Sequence, residues 1–292
     1  MKATPRQQRT IERAVQVTGF GYWSGKDVTI EFRPAEENDG VTFVRRDIQP
    51  HVRIPATVDN RIEMPRRTTL EAVCHRVEMV EHILAALSGL CIDNCEVWCD
   101  GPEMPGVDGS SLAFVEALAD AGICEQSTRR TVIHVTDTVR VEHEQCWIEA
   151  RPTVSPELTI ENQLDYGTDG PIGRQSVKLP ITPETFRDEL ASARTFLLKA
   201  EAEWLLAQGL GTRASYQDLL VFDDDGPIEN ELRYKNECVR HKTLDIVGDL
   251  SLAGADISGE IVAYRSSHKI NAMLVKQLLA SEANAPYTKK SA

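Results

Sequence analysis

The sequence is short of positive charge and of long apolar runs, and each shortage argues against a class of function. Its 292 residues hold 32 Lys plus Arg against 45 Asp plus Glu, a formal net charge of −13. A general nucleic-acid binder would carry clustered Lys and Arg to neutralise phosphates, so the acidic balance argues against one. No stretch approaches the roughly 18 consecutive apolar residues of a membrane-spanning helix. The first residues, Met1 to Gln16, lack an apolar h-region, and no secretory signal is expected there. No C-x-x-C pair and no H-E-x-x-H motif occurs, so neither a thiolate zinc site nor a zincin protease is expected. The 7 cysteines are an odd number, thinly spread, and fit free thiols in a reducing cytosol. No segment is low in complexity, and no repeat of about 20 to 50 residues recurs.

What is present is ordinary for a globular protein: 41% apolar and 26% charged residues. At about 150 residues per domain the length suggests two domains. Val28 to Phe32 and Val41 to Val44 alternate as half-buried strands do. Residues 58–70 are polar and basic and read as a loop or small insertion. Val80, Ile83, Leu84, Leu87 and Leu90 repeat at three and four, which predicts a helix over 77–90 that stops near Gly89. Cys95 to Cys99 reads as a strand, and Leu112 to Ala121 as a helix with Ser110 or Ser111 at its N-cap. The polar stretch Glu125 to Arg130 is the boundary candidate. Beyond it, strands are expected over 131–141, 146–150, 158–164 and 260–265. Helices are expected over 200–208, 234–252 and 270–280, and Thr182-Pro183 has the signature of a helix start. Both halves run strands then helices, so an α+β fold in two layers is expected, with domains over 1–126 and 127–292.

Two constellations could carry chemistry. His241 and Asp245 are four apart on a predicted helix, so they share a face and suit two ligands of one metal ion. Asp249 lies one further turn along. H-x-x-x-D is also common on solvated helix faces, and spacing alone leaves both readings open. Glu81-His82 sits in an otherwise apolar helix, where a charged Glu is costly unless paired or metal-bound. The alternative is a solvated border of the apolar stripe. Adjacent helical residues diverge by about 100°, so one can ligate a metal while the other reaches the metal's water. His82, His241 and Asp245 together would leave a fourth position open, the arrangement of a catalytic zinc. Zinc lowers the pKa of bound water to about 7, and a nearby carboxylate can serve as general base. Cys91, Cys95 and Cys99 are also four apart, but Asp93-Asn94 reads as a turn between them, and they read as free buried thiols.

The longer motifs are more specific. Val80-Glu81-His82-Ile83-Leu84-Ala85-Ala86-Leu87 with Gly89-Leu90-Cys91-Ile92-Asp93-Asn94 closely resembles the signature of the UDP-3-O-acyl-N-acetylglucosamine deacetylases. These are zinc amidases that commit bacteria to lipid A synthesis. Further matching motifs follow in the same order and spacing over essentially the whole chain. They are Pro102-Glu103-Met104-Pro105 with Asp108-Gly109-Ser110, Ala193-Arg194-Thr195-Phe196, Val239-Arg240-His241-Lys242 with Leu244-Asp245 and Gly248-Asp249-Leu250, and Ser267-His268-Lys269.

The resemblance implies Zn2+ held by His82, His241 and Asp245, with Glu81 as general base. It implies that His268 is the cation that stabilises the oxyanion and protonates the leaving amine, oriented by Asp249. Thr195 would donate to the tetrahedral intermediate, Lys242 would bind the substrate's polar head, and Phe196 would line the sugar and acyl site. The implied fold is two similar two-layer α/β-sandwich domains around a shared active site, each with a small insertion. The second insertion, near 196–222, would enclose an apolar passage for the acyl chain. The implied partner is an acylated nucleotide sugar, with transient membrane-surface contact only through its acyl chain, and the enzyme would be a cytoplasmic monomer. Two alternatives stand beside this: an amidase for a different acylated amino sugar, and a nucleotide-sugar binding protein without catalysis. Three features depart from the family pattern or stand out beside it. Trp23 stands where the family usually has His. Arg213-Ala214 replaces the common Gly-Gly, which would narrow or reshape the passage and make Arg213 a substrate contact. Arg66 and Arg67 precede Thr68 and are expected to be solvated rather than phosphate ligands.

Overall fold

The computed structural model of the chain describes residues 5–284. Strand β1 (Gln7–Ile11) is followed by a five-stranded sheet of β2 (Val15–Phe20), β3 (Asp27–Pro34), β4 (Val41–Arg45), β5 (Val52–Pro55) and β9 (Cys95–Cys99). Their order is β2-β3-β9-β4-β5. β3 forms for the expected reason: Val28, Ile30 and Phe32 enter the core, while Thr29 and Glu31 face the other way. Before helix α1 (Glu81–Gly89), a small antiparallel sheet is inserted from β6 (Arg61–Ile62), β7 (Thr69–Ala72) and β8 (His75–Glu78). Helix α2 (Leu112–Ala121) follows β9, and β10 (Ile123–Arg129) returns to pair with β1.

The second half repeats this plan. Strands β12 (Val139–His143), β13 (Cys146–Arg151), β14 (Leu158–Asp165), β15 (Arg174–Pro180) and β19 (Asp256–Tyr264) form a sheet in the order β12-β13-β19-β14-β15. Strand β11 (Val132–His134) pairs in parallel with β19. In both sheets the strand after the ligand-bearing helix lies in the middle, antiparallel to one neighbour and parallel to the other. The inserted segment here follows a single-turn helix α3 (Pro183–Thr185), whose Thr182 hydroxyl accepts from the N–H of Thr185. The segment runs β16 (Phe196–Leu198), α4 (Lys199–Ala207), β17 (Leu220–Asp223) and β18 (Gly226–Pro227), with β16 and β17 parallel. Helices α5 (Glu237–Leu250) and α6 (His268–Asn284) complete the layer.

Helices α1 and α5 lie against each other. A Cβ at Gly248 would come within 2.2 Å of the Glu81 carbonyl oxygen, so only glycine permits this approach.

Several boundaries differ from expectation. Helix α1 starts at Glu81 rather than 77, because Met79 turns the chain at φ 59° and Val77 is buried from strand β8 instead. Helix α5 starts at Glu237 rather than Tyr234, because the Glu237 carboxylate accepts the Arg233 N–H at 2.6 Å and holds that segment off the helix. Ser111 occupies the N-cap of α2, but its hydroxyl donates to the His82 carbonyl at 2.8 Å. The hydroxyl of Ser110 accepts from Leu112 N–H instead. Glu125 to Arg130, expected as an irregular polar stretch, lies almost wholly in β10. β10 and β15 alternate between half-buried and exposed residues without burying an apolar face, so neither carries an apolar signal. All seven cysteines are free.

Candidate metal centre and active site

Helices α1 and α5 bring together three side chains that are remote in sequence. His82 lies on the first turn of α1, and His241 and Asp245 lie one turn apart on α5. All three are buried, and their ligand atoms lie within 4.8 Å of one another. Asp245 Oδ1 is 3.6 Å from His241 Nε2 and 3.8 Å from His82 Nε2. This oxygen is buried without a hydrogen-bond partner, while Oδ2 accepts from Lys242 Nζ at 2.6 Å. Leaving a buried charged acceptor unsatisfied costs upwards of about 1–3 kcal/mol. Two imidazole nitrogens and one carboxylate oxygen converging this way form a donor set that fits a divalent cation.

The protonation states agree with that fit. His241 Nδ1 stands 3.2 Å from the Ala193 carbonyl, which only accepts, so Nδ1 carries the proton and Nε2 keeps its lone pair. Burial lowers the pKa of both imidazoles, that of His82 to about 3, and so keeps them neutral as ligation requires. Burial works to raise Asp245, but the Lys242 ammonium, with the charged His268 imidazole beside it, holds its carboxyl well below the usual range.

Glu81 and His268 stand beside this cluster. Glu81 Oε1 lies 3.9 Å from His268 Nε2, and Oε2 accepts the Thr68 N–H at 3.0 Å. Burial raises Glu81 to about 7, although the nearby imidazole opposes it. His268 opens α6, and its Nδ1 lies 2.8 Å from Asp249 Oδ2. Burial would lower its pKa, but Asp249, with smaller help from Glu81 and Asp245, outweighs burial and raises it to about 9. Asp249 also accepts from Thr68 Oγ1 at 2.5 Å and Asn271 Nδ2 at 2.8 Å.

Thr195 donates from both N–H (2.7 Å) and Oγ1 (3.0 Å) to the Gly109 carbonyl, and its Oγ1 is 3.4 Å from His241 Nε2. The Phe196 ring meets His241 edge-on, with centroids 6.1 Å apart. Glu81, His82, Thr195, Phe196, His241, Lys242, Asp245 and His268 all line one cavity of about 1120 Å³. The second insertion supplies Leu205, Leu210, Ala214 and Leu219 to its wall, and Arg174, Arg265 and Lys269 add positive charge.

Two expectations are corrected. Arg213 does not enter the cavity: its guanidinium pairs with Asp27 at 2.6 Å and lies 4.4 Å over the Phe20 ring. The turn closed by Ala214 N–H on the Gly211 carbonyl leaves Ala214 as the lining residue. Arg66 is exposed, as expected, and pairs with Glu201. Arg67 is not solvated: it pairs with Glu78 at 2.9 Å and stacks 4.5 Å over Trp23, which itself lines the cavity. Thr68 and Asn271 give no signal in the sequence, because a threonine or asparagine carries none until its burial and partners are known.

The profile of the UDP-3-O-acyl N-acetylglycosamine deacetylase family matches residues 8–280. Proteins named UDP-3-O-acyl-N-acetylglucosamine deacetylase from Brucella ovis, Brucella canis and Brucella melitensis are each 40% identical over 277 residues, covering 94% of this chain and 96% of theirs. With this match over nearly the full length and a metal-ligand cluster at the motif positions, the chain belongs to the UDP-3-O-acyl N-acetylglycosamine deacetylase family.

Proposed function

We propose that this protein is a zinc-dependent hydrolase that removes the N-acetyl group of UDP-3-O-(3-hydroxyacyl)-N-acetylglucosamine and releases acetate. The deacetylase activity, in lipid A biosynthesis, follows from family membership. The zinc, the residue roles and the acyl site are our reading. The observation that carries them is the unpartnered, buried Asp245 Oδ1 facing two imidazole Nε2 atoms, with Glu81 and His268 alongside.

Zinc held by His82, His241 and Asp245 would supply Lewis acidity, lowering the pKa of a water to about 7 and polarising the amide carbonyl. Glu81 takes a proton from the attacking water as the new C–O bond forms. Its burial places its pKa near 7, so it is a stronger base than an exposed carboxylate. His268 is cationic near neutrality because of Asp249, and its Nε2 is the nitrogen left free. That charge stabilises the oxyanion, and the Nε2 proton passes to the amine nitrogen as the C–N bond breaks. Thr195 Oγ1 turns from the Gly109 carbonyl to donate to the tetrahedral intermediate. Lys242 has three donors and uses one on Asp245 Oδ2, which leaves others for the substrate's polar head. Phe196 packs along the sugar and the start of the acyl chain. The acyl chain lies against Leu205, Leu210 and Leu219, in a cavity large enough for a nucleotide-sugar fragment and a chain.

The reading also includes two duplicated units near 1–126 and 127–292 and a cytoplasmic monomer, which acts on a small molecule and contacts a membrane only through its substrate. No helix among the described residues is long and apolar enough to cross a membrane. The Trp23–Arg67 stack beside the cavity favours one second reading, an amidase for a different acylated amino sugar. Acetate release from defined acylated UDP-N-acetylglucosamine, with metal measured on the same sample, tests both. About one zinc per chain with turnover supports the first reading, and turnover only on another amino sugar supports the second. Tight binding without turnover refutes both.

A further inference from the structure

Thr68 immediately precedes β7, in the first inserted sheet, and is fully buried. Its N–H donates to Glu81 Oε2 at 3.0 Å, its hydroxyl donates to Asp249 Oδ1 at 2.5 Å, and its carbonyl accepts from Val80 N–H at 3.3 Å. Ionised carboxylates only accept, so Thr68 is the residue that gives one hydrogen to each of these two acids. It is absent from the cavity lining and so does not meet substrate.

Each bond has a consequence. With Oε2 of Glu81 held by the backbone, Oε1 is the oxygen left to take a proton, and it is the one facing His268 Nε2 at 3.9 Å. On Asp249, His268 Nδ1 and Asn271 Nδ2 both bind Oδ2, and Thr68 binds Oδ1. Two points on one oxygen do not fix the plane of a carboxylate, and the third bond on the other oxygen does. That plane sets the direction of the imidazole it holds.

We infer that Thr68 is a positioning residue of the deacetylase reaction, locking the Glu81 and Asp249 carboxylates so that Glu81 Oε1 and His268 Nε2 stay aimed at the amide. The inference rests on the reading above and deepens it. The first insertion then reaches the reacting groups, because Thr68, which leads into β7, ties Glu81 on α1 to Asp249 on α5, the partner of His268 on α6.

Two substitutions in the full-length metal-loaded enzyme test it. Thr68→Val keeps the shape and the N–H and removes only the hydroxyl, whereas Thr68→Ser keeps the hydroxyl. Partners that orient metal-ligating side chains typically cost 10–100-fold when removed; on that scale kcat should fall about tenfold or more in Thr68→Val and stay within about threefold in Thr68→Ser. KM, zinc content and melting temperature should stay at parental values in both. Adding Thr68→Val to Asp249→Asn should cost nothing further, since the hydroxyl acts through that carboxylate. Independently of turnover, the downfield imidazole N–H proton resonance of His268 should stay sharp in Thr68→Ser and broaden in Thr68→Val. A Thr68→Val enzyme with parental kcat and an unchanged resonance overturns the inference. So does a Thr68→Ser enzyme as slow as Thr68→Val, which would show packing rather than the hydroxyl at work. Should Thr68→Val lose its zinc or its fold, the serine variant decides: kcat within about threefold of the parent and a sharp resonance support the inference, and a loss of about tenfold or more with parental zinc overturns it. A parent enzyme that releases no acetate would instead refute the deacetylase reading, while the resonance would still test the positioning.

Discussion

Glu81 Oε1 and His268 Nε2 face each other at 3.9 Å, each on the first residue of its helix. The distance is too long for a hydrogen bond, so neither group quenches the other by direct proton sharing. Their surroundings push both pKa values upward, for different reasons. Burial lifts the carboxyl to about 7, and Asp249 overcomes burial to lift the imidazole to about 9. Between those values the Glu81 carboxyl is ionised and the His268 imidazole is protonated.

That pair sets the pH dependence. With Glu81 as the proposed base, kcat/KM should rise with pH through that group's pKa. A bound cation beside Glu81 favours its ionised form, so this limb should lie at or below about 7. With His268 as the proposed acid, the rate should fall as pH rises through its pKa, which the same cation keeps at or below about 9. Asp249→Asn removes the largest of the carboxylate contributions that raise His268, so burial weighs more against its charged form. The alkaline limb should then move to lower pH and the maximum should drop. An alkaline limb in the same place would remove His268 as the acid.

Ligands and acid–base groups should separate in metal analysis. His82→Ala, His241→Ala and Asp245→Ala should each lose most bound zinc. Glu81→Gln and His268→Ala should keep it and lose about 10²–10⁴-fold in rate, the usual contribution of a general acid or base. Full zinc occupancy in all three ligand variants would sink the assignment.

Gly248→Ala should damage the site without touching a catalytic side chain. Its new Cβ would meet the Glu81 carbonyl at 2.2 Å, so α1 and α5 must part. Overpacking of this kind costs about 1–3 kcal/mol, and here the clashing atom is backbone. A lowered denaturation midpoint together with weaker zinc binding is expected. A parental midpoint would show that the helices can separate freely.

The acyl chain should bind by apolar burial. At about 0.8 kcal/mol per CH₂, trimming two carbons should lower kcat/KM by about 15-fold. Arg213→Gly should leave the chain-length profile unchanged, because that side chain lies against Asp27 and Phe20. Ala214→Leu should shift the optimum to shorter chains, because Ala214 lines the cavity. A profile that moves with Arg213 and not with Ala214 would reverse this assignment.

Where a feature depends on local spacing, the sequence alone determined it. The 3.6-residue repeat places His241 and Asp245 on one face of α5 whatever surrounds that helix, and alternation buries Val28, Ile30 and Phe32 in β3. The motif order determined the family. What spacing could not decide was whether those faces met solvent or each other. Only tertiary packing brought His82 to the α5 pair, through an approach that Gly248 permits, and left Asp245 Oδ1 without a partner. The same holds for the polar strands β10 and β15, for Arg213 turned out to Asp27, for Arg67 drawn in to Glu78, and for Thr68 between two carboxylates. Each depends on a partner far away in sequence, and burial, hydrogen bonding and pKa are properties of such pairs rather than of one residue.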